Sequence, residues 1–376
     1  MAYTTIDDPS AHFQTLVYTG NGSNPRNLTN DGNSDLKPDW IWNKNLTDAG
    51  TSHKAQISNL SMDAPTNSTQ VSPNNSSNAN SPATTYGYCS AFLTDGFTAA
   101  AGGTNGDAYN ANNKEFVAWQ WKCGGGSVSN NTDGNITTSV QTNLTAGISI
   151  GTYEGTSSNG KTIGHGLGAI PDFFMIKGYS GAGTKYWVIG APNHPSFLNN
   201  ASKHLFLDTD MAVANNTTMW GNVAFTSTTA PLNSHQAINH SNSNYMFFAF
   251  KSIQGYSKIG NYVGNGVVEG PFVYTGFKPA FIMIKNTSAV ESWVIFDSKR
   301  SPSNIADKKI SPNTTDAENN NSAIGGAGYN DIDILSNGFK IRKNNAATNG
   351  DGNSFLYMAF AENPFVTSTG IPTTAR

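Results

Sequence analysis

The 376-residue chain has few charged residues and no concentration of charge of one sign. Only 12% of its residues are Asp, Glu, Lys or Arg, and the formal net charge is −3. Basic residues occur at most in pairs, as at Lys299-Arg300 and Lys308-Lys309. Because binding to a phosphate backbone needs a concentrated basic surface, we expect no nucleic acid partner.

Long apolar runs and cysteines are scarce as well. No apolar stretch approaches the roughly 20 residues that span a bilayer, so we expect no membrane insertion. The N-terminal residues lack the basic start and apolar middle of a signal peptide, which favours synthesis in a cytoplasm. Cys89 and Cys123 are the only cysteines. Cytosolic thiols are more often reduced, although a disulfide between them stays open as an alternative. No histidine pair at ligand spacing lies nearby, and we expect no metal and no cofactor.

Glycine, asparagine, serine and threonine are abundant instead. All four rank low in helix propensity, which disfavours long helices. They suit short strands joined by turns, where positive φ angles or side-chain-to-backbone hydrogen bonds are needed. The composition therefore predicts an all-β protein.

A buried strand, Pro279 to Asn286, provides the pattern that the rest of the chain copies. It has a proline at the entry, an unbroken apolar run, and Lys-Asn at the exit. Similar segments begin at Pro38 and Pro171. A tyrosine-glycine turn precedes each copy and an aromatic-alanine strand follows it at a nearly constant distance. These landmarks predict a threefold internal repeat of units of roughly 100 residues.

The repeat predicts three tandem antiparallel β-sandwich units, of a jelly-roll or lectin-like kind. Their predicted bounds are 15–123, 147–254 and 255–376. The polar stretch 124–146 is predicted to be a flexible or solvent-facing linker. Residues 1–14 have no counterpart in the later units, and are either a simple extension or a docking arm that orders on a partner. A Trp-Val-Ile strand follows the proline strand in the second and third units and is weak or missing in the first.

No motif for catalysis is present, and we expect no enzymatic activity and no catalytic residues. Acid pairs that a glycosidase could use occur at Asp208 and Asp210 and at Asp331 and Asp333. Two acids separated by one residue on a strand share a face without any catalytic reason. A carbohydrate-active enzyme is therefore kept only as a further alternative.

A binding role needs less chemistry than catalysis. Exposed aromatic rings flanked by polar side chains can stack on sugar rings and hydrogen-bond their hydroxyls. The candidate ligand-binding residues are Trp187, Trp220, Trp293, Asp297, Lys299 and Arg300. The alternative for the tryptophans is that each fills a sandwich core.

Several segments resemble a family of repeat-bearing structural proteins encoded by marine tailed bacteriophages, whose shared domain has no assigned function. The resemblance is carried by the opening Met1–Pro9, the recurrent Tyr-Thr-Gly-Asn-Gly, and the segments 270–280, 293–300 and 363–376. It covers nearly the whole chain and is most specific in the third unit. It departs in the first, where the polar residues 53–63 replace a Phe-Asp-Ser-x-Arg segment.

The resemblance implies a virion location. We therefore expect a surface-exposed bacteriophage structural protein, a tail fibre or receptor-binding adhesin that contacts host surface glycans. The alternative is a capsid decoration protein, or head fibre. Expected partners are other virion proteins, further copies of the chain in a homo-oligomer, with a trimer favoured, and host surface polysaccharide. The sequence has no heptads, so any assembly must use sandwich faces, loops or the N-terminal arm.

Overall fold

The computed structural model describes residues 2–57, 70–77, 83–103, 108–125, 127–198, 202–318 and 332–373. With 41% strand and 5% helix, the all-β prediction is confirmed. The described helices are single turns, and none could cross a bilayer. They are a 3-10 turn at Pro9–Ala11, α1 (Ala83–Tyr86), α2 (Thr217–Trp220), α3 (Gln236–Asn239) and α4 (Ala346–Asn349).

Sheet 1 contains four antiparallel strands. In spatial order they are β1 (Phe13–Thr19), β7 (Glu115–Trp121), β3 (Trp40–Asn45) and β4 (Lys54–Ile57). A smaller sheet covers one of its faces, in the order β2 (Arg26–Leu28), β6 (Phe97–Ala100) and β5 (Tyr88–Phe92).

Sheet 2 contains eight strands. Their order is β15 (Ala214–Asn215), β14 (Lys203–Phe206), β13 (Trp187–Gly190), β12 (Phe173–Ser180), β17 (Asn244–Phe250), β10 (Ile148–Glu154), β9 (Thr138–Asn143) and β8 (Ser129–Asn131). The covering sheet has two strands, β11 (Lys161–Gly164) and β16 (Thr229–Leu232).

Sheet 3 again contains four strands, in the order β18 (Ser257–Val263), β24 (Ser354–Pro364), β20 (Phe277–Asn286) and β21 (Val294–Asp297). Its covering sheet has the order β19 (Phe272–Tyr274), β23 (Gly338–Ile341) and β22 (Ile332–Leu335).

One strand order occurs in all three large sheets. A tyrosine strand lies beside the closing aromatic-alanine strand, which lies beside the proline strand and then the strand that follows it. The three instances are β1-β7-β3-β4, β10-β17-β12-β13 and β18-β24-β20-β21. A tandem repeat requires this recurrence, while the predicted domain bounds themselves stay a prediction.

The side chains of each large sheet contribute to two cores. Successive side chains on a strand point to opposite faces. On β3, Ile41 packs with Phe97 under the covering sheet, whereas Trp40 and Trp42 face a core shared by all three large sheets. Both faces of these strands are therefore buried, which explains their unbroken apolar runs.

Aromatic rings from the three sheets meet in this shared core. The ring centroids of Trp40 and Phe248 lie 4.7 Å apart across sheets 1 and 2. Those of Trp121 and Phe360 lie 5.7 Å apart across sheets 1 and 3. Phe250 and Phe360 join sheets 2 and 3 at 6.0 Å. The three sheets therefore pack around one centre.

The stretch 124–146 differs from the predicted linker. Strands β8 and β9 lie within it, and β9 pairs with β10, so the segment extends sheet 2. We call the parts of the chain that form sheets 1, 2 and 3, each with its covering sheet, the first, second and third segments. Val140 is 3% exposed and packs into the core of the second segment. The polar composition of this stretch reflects strands near the edge of a sheet with one face exposed to solvent. Composition alone does not distinguish such strands from a linker.

The N-terminal residues lie against the third segment and the connection that precedes it. Ile6 is 3% exposed and belongs to the shared core. The Tyr3 hydroxyl donates to the Gly276 carbonyl at 2.8 Å, and the Thr4 hydroxyl donates to the Gln254 carbonyl at 2.9 Å. These residues thus form a clasp within the chain and are not a free extension, while docking of this stretch on another protein stays a prediction.

Candidate functional site

The three candidate tryptophans lie in the protein core. Trp187, Trp220 and Trp293 are 0%, 1% and 1% exposed. A ring must offer a free face to stack on a sugar. The interpretation of these three residues as a binding platform is therefore wrong, and the alternative that they fill the core describes them.

Two of these tryptophans join neighbouring segments through their indole nitrogens. Trp187 Nε1 donates to the Ser72 carbonyl at 2.9 Å, and Trp293 Nε1 donates to the Phe206 carbonyl at 2.9 Å. The second segment thereby contacts the first, and the third contacts the second.

His53 makes the third contact, between the first and third segments, and so completes a cycle of three contacts. Its Nε2 lies 3.0 Å from the Ser311 carbonyl, which joins the first segment to the third. A carbonyl can only accept, so Nε2 carries the hydrogen and Nδ1 accepts from Trp42 Nε1 at 3.1 Å. Burial away from water lowers the pKa of His53 well below its usual value.

The pairing register shows that the three contacts are equivalent. Strand β4 occupies the position at which the sequence showed a weak or missing strand. The strand partners of Trp42, Met175 and Met283 are Ala55, Ile189 and Ile295. Two positions before these partners lie His53, Trp187 and Trp293, respectively. The acceptors Ser72, Phe206 and Ser311 directly follow Val71, Leu205 and Ile310, which pair with Ala55, Ile189 and Ile295. One geometry is used three times.

Each proline strand contains a buried lysine near the end of its apolar run, namely Lys44, Lys177 or Lys285. Lys177 Nζ donates to the Asn75 carbonyl of the first segment at 2.9 Å. Lys285 Nζ donates to the Asp210 carbonyl of the second segment at 3.0 Å. Burial lowers the pKa of Lys177 to about 7 and that of Lys285 to about 8. Like Trp187 and Trp293, Lys177 and Lys285 each reach from their own segment to the preceding one.

The three charged candidates, Asp297, Lys299 and Arg300, lie together where the first and third segments meet. Arg300 Nε contacts Asp297 Oδ2 at 2.5 Å, and its Nη1 contacts Glu318 Oε1 at 3.0 Å. Trp119 Nε1 of the first segment donates to Asp297 Oδ2 at 3.1 Å. The side chains of Asp297 and Arg300 are almost inaccessible, at 0% and 1% exposure. They therefore form a buried interface network.

Lys299 is the one member of this trio that reaches solvent. Its side chain is 44% exposed and pairs with Asp31 of the first segment at 2.9 Å. It lines a groove of about 380 Å³ between the first and third segments. The groove is bounded by residues of both segments, among them Phe13, Thr15, Asn33, Lys278, Lys299 and Glu362.

The charges of this groove are balanced. Lys278 pairs with Glu362 at 2.5 Å, as Lys299 pairs with Asp31. Thr15 is 5% exposed, and its hydroxyl has no hydrogen-bond partner in the described part of the chain. A buried hydroxyl left unpaired costs about 1–3 kcal/mol. The Thr15 hydroxyl is buried beneath the groove, so the paired charges alone indicate its occupant, which they favour to be uncharged.

An exposed aromatic pair lies elsewhere, on the outer face of the third segment. Phe272 and Tyr274 are 46% and 53% exposed and alternate with buried Val273 on β19. The Tyr274 hydroxyl lies 3.1 Å from that of Tyr3. Sequence reasoning missed this pair because it selected tryptophans. The signal available in the sequence was the alternation of Phe272 and Tyr274 with the apolar Val273 between them.

Polar side chains border the pair. Glu269 contacts Lys340 Nζ at 3.4 Å and Arg342 Nη1 at 3.1 Å. The first segment has Asn27 and Thr29 at the positions that Phe272 and Tyr274 occupy in the third. They lie beside Gly96-Phe97, as the aromatic pair lies beside Gly338-Phe339. The aromatic pair thus distinguishes the third segment from the first.

The two cysteines and the described acidic candidates lie in surroundings that explain them as structural residues. Cys89 and Cys123 are buried and form no disulfide bond with each other, and burial raises the pKa of both thiols. Asp208 accepts from the Trp187 backbone N–H at 3.2 Å, and burial raises its pKa to about 6. Asp333 contacts Arg342, whereas Asp331 lies outside the described residues. Among the residues that are described, no group of three or more potential ligands is arranged to hold a metal ion.

Fold and interfaces define an all-β protein whose three large sheets share one aromatic core. The chain belongs to the family described as Domain of unknown function (DUF7483), which matches residues 8–364. No curated protein and no solved structure matches the chain.

Proposed function

We propose that the protein is a non-enzymatic structural component of a bacteriophage particle, displayed on its surface as a tail fibre or receptor-binding adhesin. The observation that carries the proposal is the closed cycle of buried contacts around one core. It joins three loop-bearing sandwiches into one body. The resemblance to phage structural proteins in the third segment supports the same role.

The location is tested on purified virions. Cryo-microscopy with the subunit identified by an inserted epitope tag should show it outside the particle, at the tail, in copy numbers divisible by three. An internal position, or absence from washed virions, would contradict the proposal. The predicted homotrimer is tested by light scattering, which separates 39.9 kDa for a monomer from three times that mass.

Contact with host surface glycans is assigned to the exposed aromatic pair of the third segment. Phe272 and Tyr274 present adjacent rings on one face, bordered by Glu269, Lys340 and Arg342. An apolar ring face can cover the C–H face of a sugar, while charged groups hydrogen-bond its hydroxyls.

The glycan assignment is tested with the double variant Phe272→Ala/Tyr274→Ala. Each aromatic contact contributes about 0.5–1.5 kcal/mol beyond its buried area, so binding to host polysaccharide should weaken about tenfold or more. Val290→Ala is the matched control, since Val290 is 65% exposed but isolated from the pair. Equal binding of all three proteins would remove the assignment but leave the virion location standing.

A capsid decoration protein is the second candidate, and the cyclic arrangement favours it specifically. A body built of three equivalent contacts matches the threefold positions of a shell lattice. The same particle images decide between the two roles, because decoration predicts many copies on the head. Incubation with host polysaccharide, followed by an assay for new reducing ends, tests the non-enzymatic part of the proposal.

A further inference from the structure

The edge of sheet 2 shows how this fold accepts an additional strand. Strand β9 pairs antiparallel with β10, in the register Ile148 with Asn143 and Thr152 with Ser139. The outward backbone groups of β10 are thereby hydrogen-bonded by the chain's own hairpin. The contact is built of main chain, which makes it independent of the exact side chains.

Strand β1 is the equivalent of β10 in sheet 1. Phe13 pairs with Trp121 as Ile148 pairs with Phe250, and these closing residues pair with Trp40 and Phe173. Both strands therefore occupy the same position and register beside the closing strand. β1 is the last strand of its sheet, whereas β10 is followed by β9.

The outer edge of β1 presents backbone groups in alternation. Gly20 N–H donates to the Lys114 carbonyl and Lys122 N–H donates to the His12 carbonyl, so the even-numbered residues of β1 bond to β7. In an antiparallel pair the intervening residues point the other way. The N–H and C=O groups of residues 13, 15 and 17 consequently face outward.

The groove between the first and third segments corresponds to the space that β9 fills. In the second segment, β9 runs beside the loop that precedes Pro171, and a Cβ on Gly166 would lie 3.0 Å from Thr142 Cγ2. In the first segment, the loop preceding Pro38 lines the groove through Asp31 and Asn33. Phe13 and Thr15 line it from the β1 side.

The third equivalent edge, on β18, is closed by the chain itself. Ile259 N–H donates to the Ser252 hydroxyl at 3.0 Å, and Ile253 bridges Ser257. Only about 30 Å³ remains in the corresponding space beside Asp172 and His194. Two of the three edges are thus covered by the chain's own residues, and β1 borders an open groove of about 380 Å³.

We propose that this groove binds an extended polypeptide segment of another protein, which adds to β1 as an antiparallel strand. The occupant resembles β9 in chemistry: uncharged, with short hydroxyl and β-branched side chains. The balanced pairs Lys299–Asp31 and Lys278–Glu362 disfavour a charged segment. The inference rests on the geometry of β1 and is independent of the virion role.

The test uses the full-length protein and a fluorescent peptide with the sequence of residues 136–144. Binding is followed by anisotropy, and amide hydrogen exchange is measured residue by residue. We expect the peptide to slow exchange at Thr15 and Val17 at least tenfold. The amides of Gln14 and Leu16, already bonded to β7, should change little. Absence of binding, or binding without this alternation, overturns the proposal.

Two variants sharpen the result. Thr15→Pro removes an outward N–H without removing a bond to β7, and should weaken peptide binding at least tenfold. Thr15→Val keeps the N–H and should bind within about threefold of the wild type. If Thr15→Pro does not fold, exchange in the wild type still decides. A sugar site would be assigned to the groove instead if two results coincide. The peptide would leave the exchange of the β1 amides unchanged, and a saccharide would bind the groove and displace the peptide.

Discussion

The three boundaries between segments share one backbone geometry but differ in chemistry. An indole reaches the neighbouring carbonyl where the second segment meets the first and where the third meets the second. An imidazole, His53, does so where the first meets the third. Only this last boundary also contains the buried network of Trp119, Asp297, Arg300 and Glu318.

The difference follows the path of the chain. The first and second segments are joined through residues 122–147, and the second and third through residues 251–256. The first and third have no such link and are held by the N-terminal clasp and side-chain contacts. Chain connectivity does not fix this boundary, so we expect its hydrogen bonds and buried ion pair to help specify the arrangement.

The largest effect is expected at an indole boundary. Trp293→Ala should lower the free energy of unfolding by about 3–5 kcal/mol, because a fully buried ring is lost and a cavity remains. Urea denaturation monitored by circular dichroism measures the change. Trp293→Phe is the matched control, and it should cost about 1–3 kcal/mol since mainly the bond to Phe206 is lost. Equal losses in both variants would contradict the packing role.

At the polar boundary, Arg300→Met tests the buried network. It leaves the Asp297 carboxylate buried without its ion partner, and should cost about 3 kcal/mol. The neighbouring variant Lys299→Met breaks an exposed pair and should cost at most about 1 kcal/mol. The same denaturation experiment compares the two. A larger loss for Lys299→Met would show that the exposed pair, and not the buried network, secures the boundary.

The smallest effect distinguishes the imidazole from the indoles through pH. Native His53 stays neutral because burial lowers its pKa, whereas the unfolded chain takes up a proton below about pH 6.5. The free energy of unfolding of the wild type should therefore fall as pH decreases below that value. His53→Gln retains an acceptor for Trp42 and a donor for Ser311 but does not titrate.

The pH comparison is made by urea denaturation at pH 7, 6 and 5. His53→Gln should lose less stability than the wild type, by up to about 1.4 kcal/mol for each pH unit below 6.5. The other buried histidines are present in both proteins, so their contributions cancel in the difference. Parallel pH profiles would show that His53 takes up a proton in the native protein as readily as in the unfolded chain, which would contradict its lowered pKa.

Strand identity was accessible from local pattern. The proline strand predicted at Pro279 to Asn286 is contained in β20, Phe277–Asn286, and the closing strands appear as β7, β17 and β24. Weak local signals failed where neighbours decide the structure. The polar residues of β9 read as a linker, and His53 gave no sign that it takes a tryptophan's place.

The sequence by itself determined the all-β class and the recurrence of one strand pattern, because alternation, turn residues and apolar runs are local properties. Only the tertiary structure decided that the two tryptophans and His53 cross between segments, that Asp297 and Arg300 are buried while Lys299 is not, and that β1 borders an open groove. These outcomes depend on which surfaces meet when the sheets pack around a common centre. Residues far apart in the chain set that arrangement together, and no local window contains them.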